Sequence, residues 1–281
     1  MAPANTFQHI VVTRYFVRFS SASTDVGAML APDRKWLDDR FEIFRTVCFP
    51  SVVAQTEQDF VWLLFFDVNT PGDQLQRVRD LIAGHANIRI VLCESFDETT
   101  RAREIRAELA PDTKWLLTTR LDNDDGWRRD FVATLHNALA FERREFLNYP
   151  VGIIFYAGMT FLYRHQSNAF ISLLEPVDGF MTVWCGQHLE LARMAPIRQL
   201  PPIPAFLQMV HAGTRSNKPR GVRVHRLLAL EGFEAMNLPH PDRPERDLDL
   251  VLFNVTSVPR WALRDRLVAL LRRLSRRNPV S

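Results

Sequence analysis

Apolar runs of strand length alternate with helically spaced segments through the first half of the chain. The runs are rich in β-branched and aromatic residues, and they cover Phe7–Phe19, Phe60–Asp67, Asn87–Cys93 and Trp115–Arg120. Apolar positions with helical spacing predict intervening helices at Trp36–Cys48, Pro71–Ala83 and Thr99–Leu109, and the first of these is expected to extend towards Gln55. This alternation is typical of a parallel sheet that helices cover on both faces.

The pattern changes in the second half of the chain. Glu145–Arg164 is broken by prolines and glycines, which predicts antiparallel or meandering strands. Further along, Asn168–Pro176 is an apolar segment, Gln187–Met194 is predicted to be a short helix, and Phe206–His211 a strand or short turn. A second helix is predicted at Leu227–Met236 and a surface linker at Pro239–Asp249. The sequence therefore predicts a half-parallel, mixed sheet.

The periodicity of the last part of the chain predicts an amphipathic basic helix. Between Arg260 and Arg277, five leucines form one stripe among six arginines. Such a helix either docks on its own domain or lies on an anionic membrane surface. We therefore divide the chain into an α/β domain at 1–238 and a linker with a helical extension at 239–281.

Composition and charge narrow the classes of function. The 281 residues carry a net charge of +3, but the seven arginines and one aspartate from Arg260 onward leave about −3 on the rest. A basic tail on an acidic body argues against nucleic-acid binding. Three scattered cysteines, a start without signal-peptide features and a longest apolar run of only seven residues, Phe60–Phe66, lead us to expect a cytoplasmic protein.

The most informative stretch follows the fourth predicted strand. Asp122, Asn123, Asp124 and Asp125 stand where that strand must stop, and Gly126 is expected to free the backbone to turn before a helix at Trp127–Phe141. Ligands of open α/β sheets bind at the carboxyl ends of strands. Three adjacent carboxylates repel one another unless a cation neutralises them, and hard oxygen ligands suit Mg²⁺ or Mn²⁺ with a phosphorylated substrate. The alternative is a solvated turn that caps the next helix.

Other acidic motifs fit this stretch less well. A dehalogenase-type phosphatase also uses Asp-x-Asp, but that motif opens the first strand of its fold and is followed by Thr or Val. A helix–loop–helix calcium site requires a Glu at the twelfth position of its loop, where this chain has Ala133. A nucleotide-sugar site remains, with one Asp near the ribose or the metal and the other on the metal.

Several motifs together resemble the putative rhamnosyltransferase family, a bacterial group of GT-A-type glycosyltransferases. The resemblance runs from about Phe7 to Asn217, and its most specific part is the run Thr119–Asp125. The other motifs are Arg40-x4-Arg45, Cys48-x-Pro50-Ser51, Gln55-Thr56, Phe60-x-Trp62, the segment Asn168–Glu175 and His211 within Phe206–Asn217. The resemblance implies a GT-A-like α/β fold, in which helices flank a mixed sheet, and a nucleoside-diphosphate sugar donor.

The resemblance also implies roles around a divalent cation, Mn²⁺ or Mg²⁺. In such enzymes Asp124 would bind the cation directly, Asp122 would lie nearer the ribose and contribute to the same site, and His211 would complete the metal shell. Arg120 and Asn123, in the same run, are expected to contact the nucleotide. The departing diphosphate gains negative charge during transfer, which is the charge that the cation would neutralise.

An inverting transfer also requires a base that deprotonates the acceptor hydroxyl. Glu175, at the end of an apolar segment, is the first candidate, and Asp67 and His188 are the others. Three basic residues are candidates for neutralising phosphate, namely Arg14, Arg215 and Lys218. For every one of these residues a purely structural role is the competing interpretation.

The sequence thus predicts a metal-dependent glycosyltransferase that acts on a carbohydrate acceptor. The donor would be a dTDP- or UDP-sugar, and L-rhamnose follows from the name of the family alone. A phosphatase or nucleotidyltransferase that uses the same acidic residues, and a non-catalytic carbohydrate-binding module, remain the alternatives.

Overall fold

A computed structural model of the protein describes residues 6–17, 34–187, 190–211, 219–241 and 244–259. The described strands are β1 Phe7–Phe16, β2 Val61–Asp67, β3 Ile88–Cys93, β4 Trp115–Arg120, β5 Gly126–Trp127, β6 Glu145–Asn148, β7 Val151–Tyr156, β8 Met159–Arg164, β9 Ser172–Pro176, β10 Ile197–Gln199, β11 Pro204–Val210 and β12 Val222–Val224. The described α-helices are α1 Arg34–Ile43, α2 Phe49–Val53, α3 Gly72–Ile82, α4 Glu98–Glu108, α5 Phe131–Asn137, α6 Arg226–Ala229 and α7 at 247–259.

The larger sheet has seven strands in the order β10-β6-β9-β4-β1-β2-β3. Its core is the parallel set β4, β1, β2 and β3, which confirms the parallel strands predicted from the apolar runs. Strand β9 lies antiparallel between β4 and β6, so the sheet is mixed. Strand β1 lies inside the sheet, between β4 and β2, so both of its edges are paired.

Alternate residues of the parallel strands enter two hydrophobic cores. Val11 and Trp62 pack on the face covered by α1, α2, α3 and α5. Ile10, Val12 and Phe65 pack on the opposite face, which α4 covers. Burial on both faces explains why these strands read as continuous apolar runs rather than as alternating patterns.

The smaller sheet has five strands in the order β12-β8-β7-β11-β5. Strands β7 and β8 form an antiparallel hairpin, as the broken pattern of Glu145–Arg164 predicts. The turn of this hairpin places Ala157 and Gly158 at φ of 46° and 78°. Gly152 in β7 lies directly under the ring of Phe206, where an added Cβ would approach ring carbons to 2.2 Å.

The chain crosses from the larger to the smaller sheet at Asp122–Asp125, which we call the acidic turn. It follows β4 of the larger sheet and precedes β5, which pairs with β11 of the smaller sheet. Gly126 does not adopt a positive φ, so the expectation that it frees the backbone is wrong. Its role is close packing, because a Cβ there would lie 2.3 Å from Met236 Cε and 3.1 Å from Ser51 Oγ.

Several helices differ from the prediction. The helix Trp36–Cys48 is present, but Phe44–Cys48 forms a π-helical turn before α2 continues the segment. Helix α5 begins only at Phe131, and the helix expected at Leu227–Met236 is limited to Arg226–Ala229, with Gly232 at φ 87° beyond it. Part of the segment Gln187–Met194 forms a 3₁₀ turn, Leu191–Arg193.

The end of the described chain packs on the smaller sheet. Asn254 in α7 exchanges hydrogen bonds with the backbone of Arg223, and the rings of Phe253 and Phe161 lie 5.4 Å apart. The helix therefore begins inside the segment predicted as a linker, and the basic stretch Arg260–Arg277 lies outside the described residues. Among the described helices, none combines the length and apolar character needed to cross a bilayer.

Candidate active site

The backbone of the acidic turn is fixed to the neighbouring elements of the larger sheet. Leu121 N–H donates to Val12 O at 3.3 Å, which holds the start of the turn against β1, and Asp125 N–H donates to Asp122 O at 3.1 Å. The Cys48 thiol also donates to Asp122 O, at 3.7 Å. The turn thus lies at the carboxyl ends of β1 and β4, where ligands of open α/β sheets bind.

Asp124 is the most strongly engaged carboxylate of the turn. Its Oδ2 lies 2.6 Å from Arg40 Nη1 and 3.1 Å from His211 Nε2. The side chains of Asp124 and Arg40 are each only 12% exposed. Burial by itself raises the pKa of Asp124, but the His211 hydrogen bond and the Arg40 charge outweigh it and lower the pKa below its ordinary value. Asp124 is therefore ionised at neutral pH.

Asp122 faces a different partner. Arg120 Nη2 donates to its Oδ2 at 3.1 Å, and the Arg120 guanidinium carbon lies 4.0 Å from the centre of the Trp184 ring. The indole therefore supports the cation that holds Asp122. Because Asp122 is a third exposed, this ion pair is the most accessible one of the turn.

The two remaining residues of the turn anchor it. Asn123 Nδ2 donates to Tyr15 O at 3.0 Å in β1, and its Oδ1 accepts a hydrogen bond from Arg40. Asp125 Oδ1 accepts from Met209 N–H at 2.9 Å, which fastens the turn to β11 of the smaller sheet. Burial, and then the charges of Asp124 and Asp122, raise the pKa of Asp125 well above its ordinary value.

These contacts exclude the interpretation of the turn as only a cap for the following helix. Helix α5 begins at Phe131, and the residue at its N-cap position is Asp130. The side chains of the turn make contacts with four elements. They bind backbone atoms of β1 and β11 and the side chains of arginines in α1 and β4. The turn is thus a tertiary junction.

Arg14 in β1 belongs to the same electrostatic neighbourhood. Burial lowers its pKa, the charge of Asp122 opposes that shift, and the charges of Arg120 and Arg40 add to it. Its Nη1 also donates to Val17 O at 3.4 Å. Two guanidinium groups, those of Arg40 and Arg120, contact the acidic turn, and the charge of Arg14 is felt there as well, which favours the binding of an anion.

Asp67 occupies the same edge of the sheet but caps its own turn. Its Oδ1 accepts hydrogen bonds from Asn69 N–H at 2.9 Å and from Asn69 Nδ2 at 3.0 Å. It ends β2, which lies two strands from β4, a lateral separation of roughly 10 Å. The structure therefore places Asp67 beside the acidic turn and gives its carboxylate a structural task.

Glu175 does not lie at this edge, which corrects its prediction as the base. Strand β9 is antiparallel to β4, and Glu175 pairs with Leu116, four residues before Arg120 and about 13 Å from that end of the strand. The carboxylate is fully buried and accepts hydrogen bonds from Arg144 Nε and from the N–H groups of Met181 and Thr182. Glu175 therefore anchors the chain that follows β9.

That chain returns towards the acidic turn. Thr182 N–H donates to the Glu175 carboxylate, and Val183 N–H donates to Thr118 Oγ1 in β4. The ring of Trp184 then lies under Arg120, the last residue of β4. The course from Thr182 to Trp184 thus runs along β4 towards its carboxyl end. The predicted residues His188, Arg215 and Lys218 lie outside the described residues.

Arg40 and Trp184 are the site residues to which the sequence interpretation gave no role, although Arg40 belongs to the motif Arg40-x4-Arg45. Arg40 lies on the apolar stripe of its helix, between Trp36 and Phe44. A charged residue on a face that is expected to be buried indicates a buried partner, and this pattern could have pointed to Arg40 as a site residue. The residues before His188 gave no comparable sign for Trp184.

A cation at this site would have two protein ligands. Asp124 Oδ2 and His211 Nε2 are 3.1 Å apart, close to the separation of about 3 Å for two ligands at right angles around Mg²⁺. Within the described ranges no three His, Cys, Asp or Glu side chains form a metal-binding group, and Asp122 is paired with Arg120 instead. Two such ligands fit a cation whose remaining positions are filled by water and substrate phosphates.

Comparison of the sequence with known families identifies the class of protein. The sequence model of the family described as "Putative rhamnosyl transferase" matches residues 16–223, well over half of the chain. The chain belongs to this family, as its motifs indicate. The mixed sheets and flanking helices confirm the expected α/β fold class. No curated protein matched the sequence.

Solved structures with a similar fold are distant. Residues 1–349 of Staphylococcus aureus TarS in complex with UDP-GlcNAc match at 12% identity with a TM-score of 0.42, over 74% of this chain and 60% of that one. GalNAc-T7 with UDP, GalNAc and Mn²⁺ matches at 12% identity with a TM-score of 0.43, over 76% of this chain and 45% of that one. A 4-diphosphocytidyl-2C-methyl-D-erythritol synthase from Anaerococcus prevotii gives 14% identity and a TM-score of 0.35, over 69% and 87%. The chain thus spans less than two thirds of each of the first two proteins.

Proposed function

We propose that this protein is a glycosyltransferase that moves a sugar from a nucleoside-diphosphate donor to a carbohydrate acceptor. The observation that carries the proposal is the arrangement of Asp124 and His211 at the carboxyl edge of the sheet, with Arg40 and Arg120 paired to the same turn. Membership of the rhamnosyl transferase family supports the same activity. L-rhamnose, carried on dTDP or UDP, is the sugar that the family description suggests.

The diphosphate of the donor would bind among the guanidinium groups at the acidic turn. Arg14 and Arg120 are the proposed phosphate-binding residues, because both lie at this edge and Arg120 is already held in position by Trp184. Guanidinium groups bind phosphate through paired N–H donors, which orients the group as well as attracting it. Asp122, the more exposed carboxylate, is then available for the ribose hydroxyls.

We further propose that Asp124 and His211 hold a divalent cation, Mn²⁺ or Mg²⁺, together with the donor. When bound, such a cation would stabilise the negative charge of the departing diphosphate. Asn123 and Asp125 keep the turn in place through Tyr15 O and Met209 N–H, which fixes the direction of the Asp124 carboxylate.

The base that accepts the proton of the acceptor hydroxyl is assigned to His188, with Asp67 as the second candidate. The described chain before His188 runs along β4 towards the acidic turn, which supports this choice, whereas the carboxylate of Asp67 is engaged in its own turn. His188→Asn is expected to leave donor binding intact and to lower the transfer rate by about 10²-fold or more. An unchanged rate would pass the role to Asp67.

Calorimetry with dTDP and UDP, each with and without Mn²⁺, tests the central proposal. Asp124→Asn should abolish the Mn²⁺-dependent part of nucleotide binding. Asp130→Asn is the matched control, because Asp130 is also ion-paired, with Arg128, but lies outside the turn. Equal nucleotide affinity in the wild type and Asp124→Asn would reject the cation site.

Product analysis separates the alternatives. A phosphatase would release phosphate from small phosphoesters, a nucleotidyltransferase would release pyrophosphate from nucleoside triphosphates, and a binding module would do neither and transfer no sugar.

We also propose peripheral contact with the cytoplasmic face of a membrane. One face of α7 carries four exposed apolar side chains at helical spacing, Leu248, Val251, Leu252 and Val255, with exposed fractions of 54% to 69%. The leucines and arginines of residues 260–277 follow in sequence, and basic amphipathic segments bind anionic lipid. Co-sedimentation with anionic liposomes should fall when the chain is shortened to end at Val258, because the basic segment is removed, and equal pelleting of both forms would reject this contact.

A further inference from the structure

Arg40 ties helix α1 to the acidic turn. Its Nη1 lies 2.6 Å from Asp124 Oδ2 and 3.3 Å from Asn123 Oδ1, and its guanidinium carbon lies 5.0 Å from the centre of the Trp36 ring. Both partners of the ion pair are largely shielded from solvent. A shielded ion pair is screened much less by salt than an exposed one, so this contact is stronger than the surface pairs elsewhere on α1.

The contact creates a conflict at one oxygen. The proposed cation requires Asp124 Oδ2, the oxygen that faces both His211 Nε2 and Arg40 Nη1. A guanidinium group at 2.6 Å also repels any cation that approaches the same atom. A cation and Arg40 therefore compete directly for Asp124.

We propose, on the basis of the function proposed above, that Arg40 is a positioning residue that couples cation binding to nucleotide binding. In the free protein Arg40 occupies Asp124 Oδ2 and holds the carboxylate towards His211. When a nucleoside diphosphate binds, the guanidinium moves to the phosphate oxygens, and Asp124 Oδ2 becomes available to the cation. Each ligand thereby increases the affinity of the protein for the other.

The physical basis is an exchange of anionic partners. Without nucleotide, a cation would have to displace Arg40 and leave the guanidinium without its carboxylate, which is costly for a shielded charge. With nucleotide bound, the phosphates receive the guanidinium, and paired N–H donors suit them well. Linkage then requires that the cation strengthens nucleotide binding by the same factor as the nucleotide strengthens cation binding.

The test measures Mn²⁺ affinity by electron paramagnetic resonance of free Mn²⁺, with and without UDP or dTDP, in the wild type and in Arg40→Gln. We expect nucleotide to increase the Mn²⁺ affinity of the wild type by about tenfold or more, within the usual range of such couplings. Arg40→Gln should bind Mn²⁺ alone about tenfold more tightly than the wild type, and its coupling factor should fall well below that of the wild type, to the part that direct contact between cation and phosphates supplies. Arg45→Gln is the matched control, because Arg45 follows on the same helical segment and pairs with Glu42 away from the turn.

Arg40→Lys is the second variant, and circular dichroism is the check on folding. Lysine keeps a charge at Asp124 but lacks the planar group that bonds Asn123 as well and grips phosphate, so its coupling should lie between those of the wild type and Arg40→Gln. Folded variants whose Mn²⁺ affinity alone and coupling both equal those of the wild type would overturn the role of Arg40. A wild type that binds nucleotide without any effect of Mn²⁺ would overturn the proposed cation site itself, and this result needs no variant.

Discussion

Substitution of Asp125 tests whether this carboxylate only anchors the acidic turn while Asp124 binds the ligand. Its Oδ1 accepts from Met209 N–H at 2.9 Å, and the residue is only 2% exposed. Asp125→Asn keeps an accepting oxygen at that position. Asp125→Ala removes it and leaves the Met209 N–H buried without an acceptor.

The expected magnitudes follow from these contacts. An orphaned buried N–H costs about 1–3 kcal/mol, so Asp125→Ala should lower the free energy of unfolding by about that amount. Burial and the neighbouring Asp124 and Asp122 raise the pKa of Asp125, which favours a protonated carboxyl with one accepting and one donating oxygen. Asparagine has the same pattern, so Asp125→Asn should stay within about 0.5 kcal/mol of the wild type.

Urea unfolding followed by circular dichroism measures both variants. With a slope of about 3 kcal/mol per molar urea, a loss of 2 kcal/mol moves the midpoint down by roughly 0.7 M. Nucleotide binding with Mn²⁺ is measured alongside and should be retained in Asp125→Asn. If Asp125→Asn is as unstable as Asp125→Ala, or loses Mn²⁺-dependent binding while it stays folded, the division of roles is refuted and Asp125 is itself a ligand.

Three further predictions follow from contacts away from the turn. Burial lowers the pKa of His9, with the charge of His136 as a second cause, and burial also lowers the pKa of His136. The unfolded chain therefore binds more protons than the folded chain, and stability should fall as the pH drops below about 6.5. His136→Gln should reduce this loss, which urea midpoints measured from pH 8 to pH 5 will show. Glu175→Gln should lower the free energy of unfolding by about 1–3 kcal/mol in the same assay. Both carboxylate oxygens of Glu175 accept hydrogen bonds, so the NH₂ group of a glutamine would face a donor whichever way the amide is turned. The transfer rate of this variant should stay within about threefold of the wild type, and a fall of about 10²-fold at unchanged stability would restore Glu175 as the base. Gly152→Ala should cost about 1–3 kcal/mol by displacing the Phe206 ring, and a melting temperature equal to that of the wild type would show that the ring moves freely.

The parallel half of the fold can be predicted from the sequence because its strands are buried on both faces. Continuous apolar runs such as Phe60–Asp67 and Trp115–Arg120 then stand out from the amphipathic helices between them. The position of Asp122–Asp125 at a carboxyl edge follows from the same reasoning, because all strands of a parallel set end at one edge.

The remaining site depends on tertiary choices that local patterns do not contain. Glu175 ends an apolar strand just as Asp67 does, but β9 runs antiparallel, so its last residues lie at the opposite edge. Strand direction is set by pairing with β4 and β6, not by the residues of β9 themselves. Arg40 likewise gains its role only when α1 packs against the acidic turn, more than eighty positions along the chain.

The position of β1 between β2 and β4 has a consequence for synthesis on the ribosome. β1 is paired on one side by β2 and on the other by β4, whose residues 115–120 follow about a hundred positions later. At about 5–20 residues per second, roughly 5–20 s pass between the synthesis of β1 and that of β4, and throughout this time one edge of β1 lacks its partner. An unpaired edge of a buried strand is open to wrong pairing, so the stage at which a chaperone would be needed is the interval between translation of residues 16 and 120.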